Sequence, residues 1–204
     1  ANDMGAVHQL AGKRAFVAGP QLNLFNADSL NWMVGLGASR WAMPLEMRQA
    51  DLAVLQQHKP AGLETEVFAY GRMPLAFSAR CFTARHHNLP KDDCGFRCIE
   101  HPDGQLLATR EGEGFLVLNG IQTQSARVHN LIQDVPALRA LGVELLRLSP
   151  QSQHMAEVIA AFDAARKAPQ PDAGALDRMR PLMPEAPCNG YWHGKPGLDL
   201  VQPA

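Results

Sequence analysis

Three cysteines near the middle of the chain are the residues best suited to do chemistry. Cys81 stands alone, whereas Cys94 and Cys98 are separated by three residues in one polar stretch. The iron of iron–sulfur clusters is bound by soft thiolates, usually four to a cluster. Thiolates held close together repel one another unless a cation neutralises them. We therefore expect Cys81, Cys94 and Cys98 to bind an iron–sulfur cluster.

A zinc site and ordinary buried thiols remain open as alternatives for these cysteines. A structural zinc site uses short C-x(2–4)-C knuckles, often in pairs, and Cys94 with Cys98 offers only one. Free cysteine is also among the most frequently buried residue types, so the three could be core thiols. The neighbouring Arg80, Arg85 and Lys91 favour thiolate over thiol. Spacing alone leaves the metal undecided.

The fourth ligand of such a cluster is not evident from the residues. Cys188 is the remaining cysteine, but its Asn-Gly and aromatic neighbours favour a packing role. His86, His87 and His101 are also able to coordinate a metal. For His86 and His87 a solvated loop is the simpler interpretation.

Several polar residues fall at or beside the ends of predicted strands, where barrel enzymes gather their active sites. Each has a functional and a structural interpretation. The glutamates could act as acid or base, although an ion-paired or surface carboxylate is commoner. Arg147 could likewise act in catalysis or form an ion pair. The side-chain amides of Asn119 and Gln122 could contact a ligand or form a hydrogen bond in a turn. These residues are Glu46, Glu64, Glu66, Arg147, Asn119 and Gln122.

Strands and helices alternate on both sides of the cysteine segment, and this order predicts an α/β fold with parallel strands and right-handed crossovers. About five strands are too few for a closed eight-stranded barrel, so we expect the C-terminal part of a TIM-barrel-like (β/α) barrel. The hydrophobic pattern predicts strands at 14–19, 40–44, 65–70, 115–118 and 143–148. It predicts helices at 26–36, 49–57, 128–141 and 155–166.

The composition along the chain suggests how it is divided. We expect residues 1–167 to form the barrel portion, with residues 74–104 as an inserted cluster-binding loop, because long irregular segments inside a domain are usually functional. After residue 167 the sequence becomes rich in Pro, Asp and Gly, which predicts a tether and a C-terminal docking segment over 168–204. The chain begins at Ala1 without an initiator methionine, so we expect further residues upstream.

Overall composition excludes several classes of function. Hydrophobic residues make up 46% and charged residues 19%, which is typical of a globular protein. The formal net charge of −1 argues against a nucleic-acid partner, because such binding relies on positive charge. No apolar run approaches the roughly 20 residues that span a bilayer. Residues 1–12 lack the pattern of a signal peptide, so we expect a cytoplasmic protein.

Longer stretches of the sequence point to a known family. Residues 66–81, EVFAYGRMPLAFSARC, resemble the signature of the collagenase-like peptidase family. The Cys94 and Cys98 pair, VLNGIQT at 117–123 and CNGYW at 188–192 are similar to one branch of that family. The likeness runs from near Ala1 to about Leu200, and it implies a barrel-like fold.

The resemblance to that branch implies a specific cofactor and partner. Members carry a four-iron, four-sulfur (4Fe–4S) cluster on four cysteines, of which three fall on Cys81, Cys94 and Cys98. The fourth lies upstream of Ala1, so Cys188 is not its substitute. The branch acts as a heterodimer with its homologue UbiU. The pair is needed to hydroxylate a ubiquinone precursor without oxygen, using an organic oxygen donor such as prephenate.

The resemblance therefore implies a subunit of an O2-independent hydroxylase. The wider family name suggests a peptidase instead, but the sequence lacks a convincing nucleophile–base pair or zinc-protease motif. Other relatives hydroxylate RNA, and the near-neutral charge counts against that activity here. A zinc-stabilised interaction module is the remaining alternative.

Overall fold

One mixed sheet organises the protein. Within residues 1–202, which the computed structural model describes, eight strands form a single sheet whose main path is β1-β2-β3-β6-β5-β4. Strand β7 pairs with β3, and β8 pairs with β6. The α/β fold is confirmed, and the sheet is open rather than closed into a barrel.

The N-terminal part alternates short helices with parallel strands, as predicted. Its elements are α1 (Met4–Leu10), β1 (Phe16–Ala18), α2 (Ala27–Gly35), β2 (Ala38–Ala42) and α3 (Gln49–His58). The first two helices begin at side-chain caps, where Asp3 accepts a hydrogen bond from the Ala6 N–H and Asn26 accepts one from the Ser29 N–H, each at 2.9 Å. The two strands run parallel to each other and to the next strand.

Strand β3 (Glu64–Phe77) is much longer than the predicted strand at 65–70. Its first part runs parallel to β2 and to β7 (Leu145–Leu148), and its second part is antiparallel to β6 (Gln122–Asn130). The change occurs near Gly71, whose φ of +121° favours glycine. A Cβ at this position would meet the Ser149 Cβ at 2.5 Å. Gly71 therefore allows one strand to join both parts of the sheet.

The predicted helix at 128–141 is wrong in its first half. Residues up to Asn130 belong to β6, a 3-10 turn covers Ile132–Asp134, and helix α5 spans only Val135–Ala140. Pro136 lies in the first turn of α5. A backbone N–H in this turn has no partner within the helix, so a proline there costs no hydrogen bond. Strand β5 (Gly114–Asn119) agrees with the prediction, whereas the edge strand β4 (Gln105–Ala108) was not predicted.

The cysteine segment is more ordered than the expected loop at 74–104. Strand β3 continues to Phe77, and helix α4 spans Phe82–His86. Short 3-10 turns follow at Lys91–Asp93 and Arg97–Glu100 before β4 begins. The segment is thus inserted between two strands of one sheet.

The C-terminal part packs onto the sheet. Helix α6 (Met155–Lys167) agrees with the prediction, and the expected tether contains α7 (Ala175–Met179), whose Leu176 and Met179 are buried in the main core. Strand β8 (Pro187–Cys188) pairs with β6, and Trp192 is buried beyond it. The division between 1–167 and 168–204 stays a prediction. No helix within residues 1–202 could cross a bilayer.

Candidate metal centre

Cys81 follows the end of β3 and begins helix α4. Its carbonyl accepts a hydrogen bond from the Arg85 N–H at 3.1 Å, which closes the first helical turn. The Phe82 N–H donates to the carbonyl of Gly120 at 2.7 Å, so the turn between β5 and β6 holds this helix start in place. The position of Cys81 is thus fixed by the preceding strand β3 and by the hydrogen bond from Phe82 to the turn between β5 and β6.

An open pocket of about 460 Å³ lies beside Cys81. Three cationic side chains line it together with the cysteine: Arg80, Arg85 and Lys91. The basic residues that are close in sequence are therefore also close in space. Three cations therefore lie beside Cys81, and they would offset the negative charge of a metal–thiolate site.

Cys94 and Cys98 flank a tight turn in the same segment. Gly95 and Phe96 both have left-handed backbone conformations, with φ of +58° and +52°. Such a conformation is uncommon for a bulky residue and costs of order 1–3 kcal/mol. The Cys98 thiol lies 3.8 Å from the Phe96 carbonyl and donates a weak hydrogen bond to it. A strained turn between two cysteines is typical of a functional segment.

All four cysteines are free thiols, and the three in the segment are each partly exposed. Within residues 1–202, one group of three His, Cys, Asp or Glu side chains brings its ligand atoms within 4.8 Å of one another, and it does not include these thiols. Cysteines of a 4Fe–4S cluster each bind a different iron, so their sulfurs need not approach that closely. The donor type and exposure fit a cluster, and the iron–sulfur assignment stays a prediction.

The convergent group consists of His87, Glu100 and His101. Two of its members were candidates for the fourth ligand. The Nε2 atom of His87 is buried and has no hydrogen-bond partner among residues 1–202. Glu100 accepts a hydrogen bond from Arg97 at 2.6 Å, and this contact lowers the pKa of its carboxyl. His86, in contrast, is exposed, and it lies at the end of helix α4 rather than in the expected solvated loop.

Cys188 has the properties of a packing residue. It is fully buried on β8, where it pairs with His129 of β6. Burial raises the pKa of its thiol to about 12. The thiol therefore stays neutral and is poorly suited to bind a metal.

Among the polar residues predicted at strand ends, Glu64, Glu66 and Arg147 are ion-paired. The Glu66 side chain is buried, and it accepts hydrogen bonds from Arg147 Nε at 2.5 Å and from Arg40 Nη1 at 3.5 Å. Arg40 Nε also donates to Glu64 at 2.9 Å. Glu46 is exposed. The structure thus brings Glu66 and Arg147 together, and the commoner ion-pair interpretation is confirmed for both.

Comparison with known proteins gives the family. The sequence matches peptidase family U32 over residues 1–198, nearly the whole chain. The chain belongs to peptidase family U32. This membership confirms the resemblance of residues 66–81 to the collagenase-like peptidases. No solved structure matches this U32 chain.

Sequence reasoning assigned no role to Arg72, a residue within the U32 signature stretch. It lies on β3, where Nη1 donates to the carbonyls of Ser125 (3.2 Å) and Ala126. Its Nε is buried and has no hydrogen-bond partner in the part of the chain that the structure describes. A charged residue within the otherwise buried run of this strand was the available signal.

Proposed function

We propose that this U32 chain is the iron–sulfur subunit of an oxygen-independent hydroxylase that acts on a ubiquinone precursor. The observation that carries the proposal is the set of three partly exposed thiols on one segment between β3 and β4. Their spacing, together with 117–123 and 188–192, resembles UbiV, the branch of the family that supports ubiquinone biosynthesis without oxygen.

The segment suits a cluster in donor type, charge and geometry. Cys81, Cys94 and Cys98 would hold three irons of a 4Fe–4S cluster, and a fourth ligand would come from outside this set. The basic residues of the Cys81 pocket would offset the negative charge of cluster and thiolates. When bound, the cluster would supply the redox or Lewis-acid chemistry that hydroxylation without O2 requires.

The same surface offers a place for a partner. Phe96 and Ile99, which are close in sequence to Cys94 and Cys98, are 71% and 76% exposed. Large apolar side chains at such exposure suit an interface that covers them. We propose that the partner is a UbiU homologue in a heterodimer, that the organic oxygen donor is a metabolite such as prephenate, and that the complex is cytoplasmic.

Metal analysis of protein purified without air tests the proposal. We expect about four iron and four acid-labile sulfide per cluster-containing chain, with the broad visible absorption of a 4Fe–4S cluster. Each of Cys81→Ala, Cys94→Ala and Cys98→Ala should remove most of the iron, and Cys188→Ala is the matched control that should keep it. A colourless protein, or one zinc per chain with no sulfide, would rule out the cluster.

Proteolysis is the second candidate, because the chain belongs to a family named for peptidase activity. Casein and collagen peptides incubated with metal-replete protein would test it directly. Cleavage that survives the three cysteine variants would favour the peptidase over the hydroxylase. Cleavage that is absent from every preparation would exclude it for these substrates.

A further inference from the structure

Three side chains in the segment between β3 and β4 form a donor set that is distinct from the cysteine thiols. His87, Glu100 and His101 each offer one ligand atom, and these three atoms lie within 4.8 Å of one another. Within residues 1–202 no cysteine sulfur belongs to this group. The group therefore consists of two imidazoles and one carboxylate, and it is the arrangement whose function the cluster proposal does not explain.

Two short elements bring these side chains together. His87 follows the last residue of α4, and its N–H donates to the carbonyl of the buried Thr83 at 3.2 Å. Glu100 is the last residue of the 3-10 turn that begins at Arg97, and His101 comes next. Helix α4 contacts this turn. Residues that are distant in sequence are therefore held at one place by the packing of the segment.

The backbone at His101 explains how two consecutive residues can share one site. Neighbouring side chains of a regular helix do not face each other. At His101 φ is −133° and ψ is 69°, so the chain leaves the 3-10 turn there. The His101 N–H donates to the Cys98 carbonyl at 3.0 Å, and its own carbonyl accepts from the Gly104 N–H at 2.9 Å. These bonds fix the backbone conformation that places both Glu100 and His101 in the group.

The donors of the group are available to a cation. The Nε2 atom of His87 is buried and has no hydrogen-bond partner among the residues that the structure describes. A buried polar atom normally has such a partner, so its absence in a convergent group points to a ligand. His101 is partly exposed and Glu100 is exposed, so an ion can reach the group from solvent.

Arg97 is the competing cation at this place. It donates to Oε1 of Glu100 at 2.6 Å, and the two side chains are 53% and 50% exposed. Ion pairs at such exposure contribute little, because solvent screens the charges and both side chains are free to move. A carboxylate also has a second oxygen to offer. The pair with Arg97 is therefore compatible with a metal ion on Glu100, since ligating carboxylates are commonly hydrogen-bonded as well.

We propose that His87, Glu100 and His101 bind a divalent transition-metal ion of the Zn²⁺ type. Imidazole suits such ions, whereas Mg²⁺ and Ca²⁺ take mainly oxygen ligands. Two histidines and one glutamate are a known set of three protein ligands for zinc, with water in the fourth position. Ligand atoms about 2 Å from a tetrahedral zinc ion lie roughly 3.4 Å apart, so small side-chain rotations close this group around one ion.

The inference does not depend on the proposed function. The cluster would be held by thiolates, whereas this ion is held by nitrogen and oxygen donors. His87 and His101 are thereby ligands of a separate ion and not of the cluster. Removal of the thiols should abolish the cluster and leave the ion in place, so failure of one proposal is distinguishable from failure of the other.

Zinc titration of the 204-residue chain without its cluster-binding thiols tests the site. The triple-serine chain, with Cys81→Ser, Cys94→Ser and Cys98→Ser, is first freed of metal with a chelator. Calorimetry should show one Zn²⁺ per chain, bound at least a hundredfold more tightly than Mg²⁺. If a thermal melt shows that this chain is unfolded, the native chain with its partly exposed thiols alkylated replaces it. Absence of Zn²⁺ binding, or equal affinity for Mg²⁺, would overturn the proposal.

Histidine variants of the triple-serine chain locate the ion. His87→Ala and His101→Ala should each weaken Zn²⁺ binding at least tenfold, and Glu100→Gln should weaken it severalfold because the negative charge is lost. His86→Ala is the matched control and should bind normally, since His86 is the exposed neighbour outside the group. Thermal melts confirm that each variant is folded. Unchanged binding in folded His87→Ala and His101→Ala, or an equal loss in His86→Ala, would overturn the assignment.

Discussion

His129 is a titratable side chain that the fold keeps neutral. It lies on β6 with 4% exposure, and its ring centroid is 5.9 Å from that of Phe68. Burial, together with the nearby His193, lowers the pKa of His129 to about 4. In the unfolded chain the same imidazole would titrate near 6.5. Folding therefore excludes a proton that the unfolded chain binds.

This difference predicts acid lability. Between about pH 6.5 and 4 the unfolded state binds more protons, so the contribution of His129 to stability is complete above that window and is lost as pH falls through it. We expect a loss of roughly 3 kcal/mol across the window. Denaturant unfolding at several pH values would measure it. His129→Gln should flatten the profile, and an unchanged slope would assign the lability to other groups.

The sequence predicts residues with unusual chemistry better than residues with unusual surroundings. The cysteines are recognisable because thiols are rare and clustered. Glu66 and Arg147 are recognisable as polar residues near the ends of predicted strands, but their pairing is not. Arg72 could not be recognised in the same way. Within residues 1–202 it forms no ion pair, which depends on the groups that β6 places opposite it, and pairing between distant strands is not encoded in local sequence.

At the scale of elements, β6 shows why periodicity can mislead. Val128, Leu131, Ile132, Val135 and Leu138 are all buried, and their spacing is that of an amphipathic helix. Strand β6 supplies Val128, and α5 supplies Val135 and Leu138. Between them, Leu131 lies just before the 3-10 turn and Ile132 begins it. One buried face is thus shared by three elements, because each packs against the same core.

Ser125 stabilises the irregular pairing between β3 and β6. Its fully buried hydroxyl accepts a hydrogen bond from the Met73 N–H at 2.9 Å and donates to the Arg127 carbonyl at 2.6 Å. The strand register shifts at this point, between Arg72 and Pro74. The side chain therefore replaces a ladder bond that the two backbones do not make.

Ser125→Ala should lower the free energy of unfolding by about 2–3 kcal/mol, because it leaves the buried Met73 N–H without a partner. Chemical denaturation would measure the change. Ser152→Ala is a suitable control, since Ser152 is exposed and its hydroxyl bonds to the partly exposed Asp103. Equal losses in the two variants would show that the β3–β6 pairing does not need this hydroxyl.

At the scale of the whole molecule, the alternation of strands and helices predicted the class of fold but not its closure. Parallel pairing of β1, β2, β3 and β7 follows from that alternation. The antiparallel extension through β6, β5 and β4 does not, because it depends on the bend at Gly71 and on the length of β3. Local pattern specifies elements, whereas their order in the sheet is decided by long-range packing.

The Pro-, Asp- and Gly-rich region after residue 167 contributes to the core through α7. Leu176 is 3% exposed there, whereas Ile159 on α6 is 51% exposed. We expect Leu176→Ala to lower the free energy of unfolding by about 2–5 kcal/mol and Ile159→Ala by less than about 1 kcal/mol. Urea unfolding of both variants would test this. A neutral Leu176→Ala would show that the segment is only loosely attached.

The continuity of β3 also has a mechanical consequence. One unbroken strand carries Glu66 and Arg72 past the cavity of about 380 Å³ at the carboxyl ends of β1, β2 and β7, and it ends at Phe77, shortly before Cys81. Domain closure usually relies on a loop that absorbs the rotation, and no such loop separates the two parts of the sheet along β3. We therefore expect the cavity to keep the same shape when a ligand binds. Its ligands would be sorted by fit to a fixed shape, with little entropy lost in ordering the protein around them.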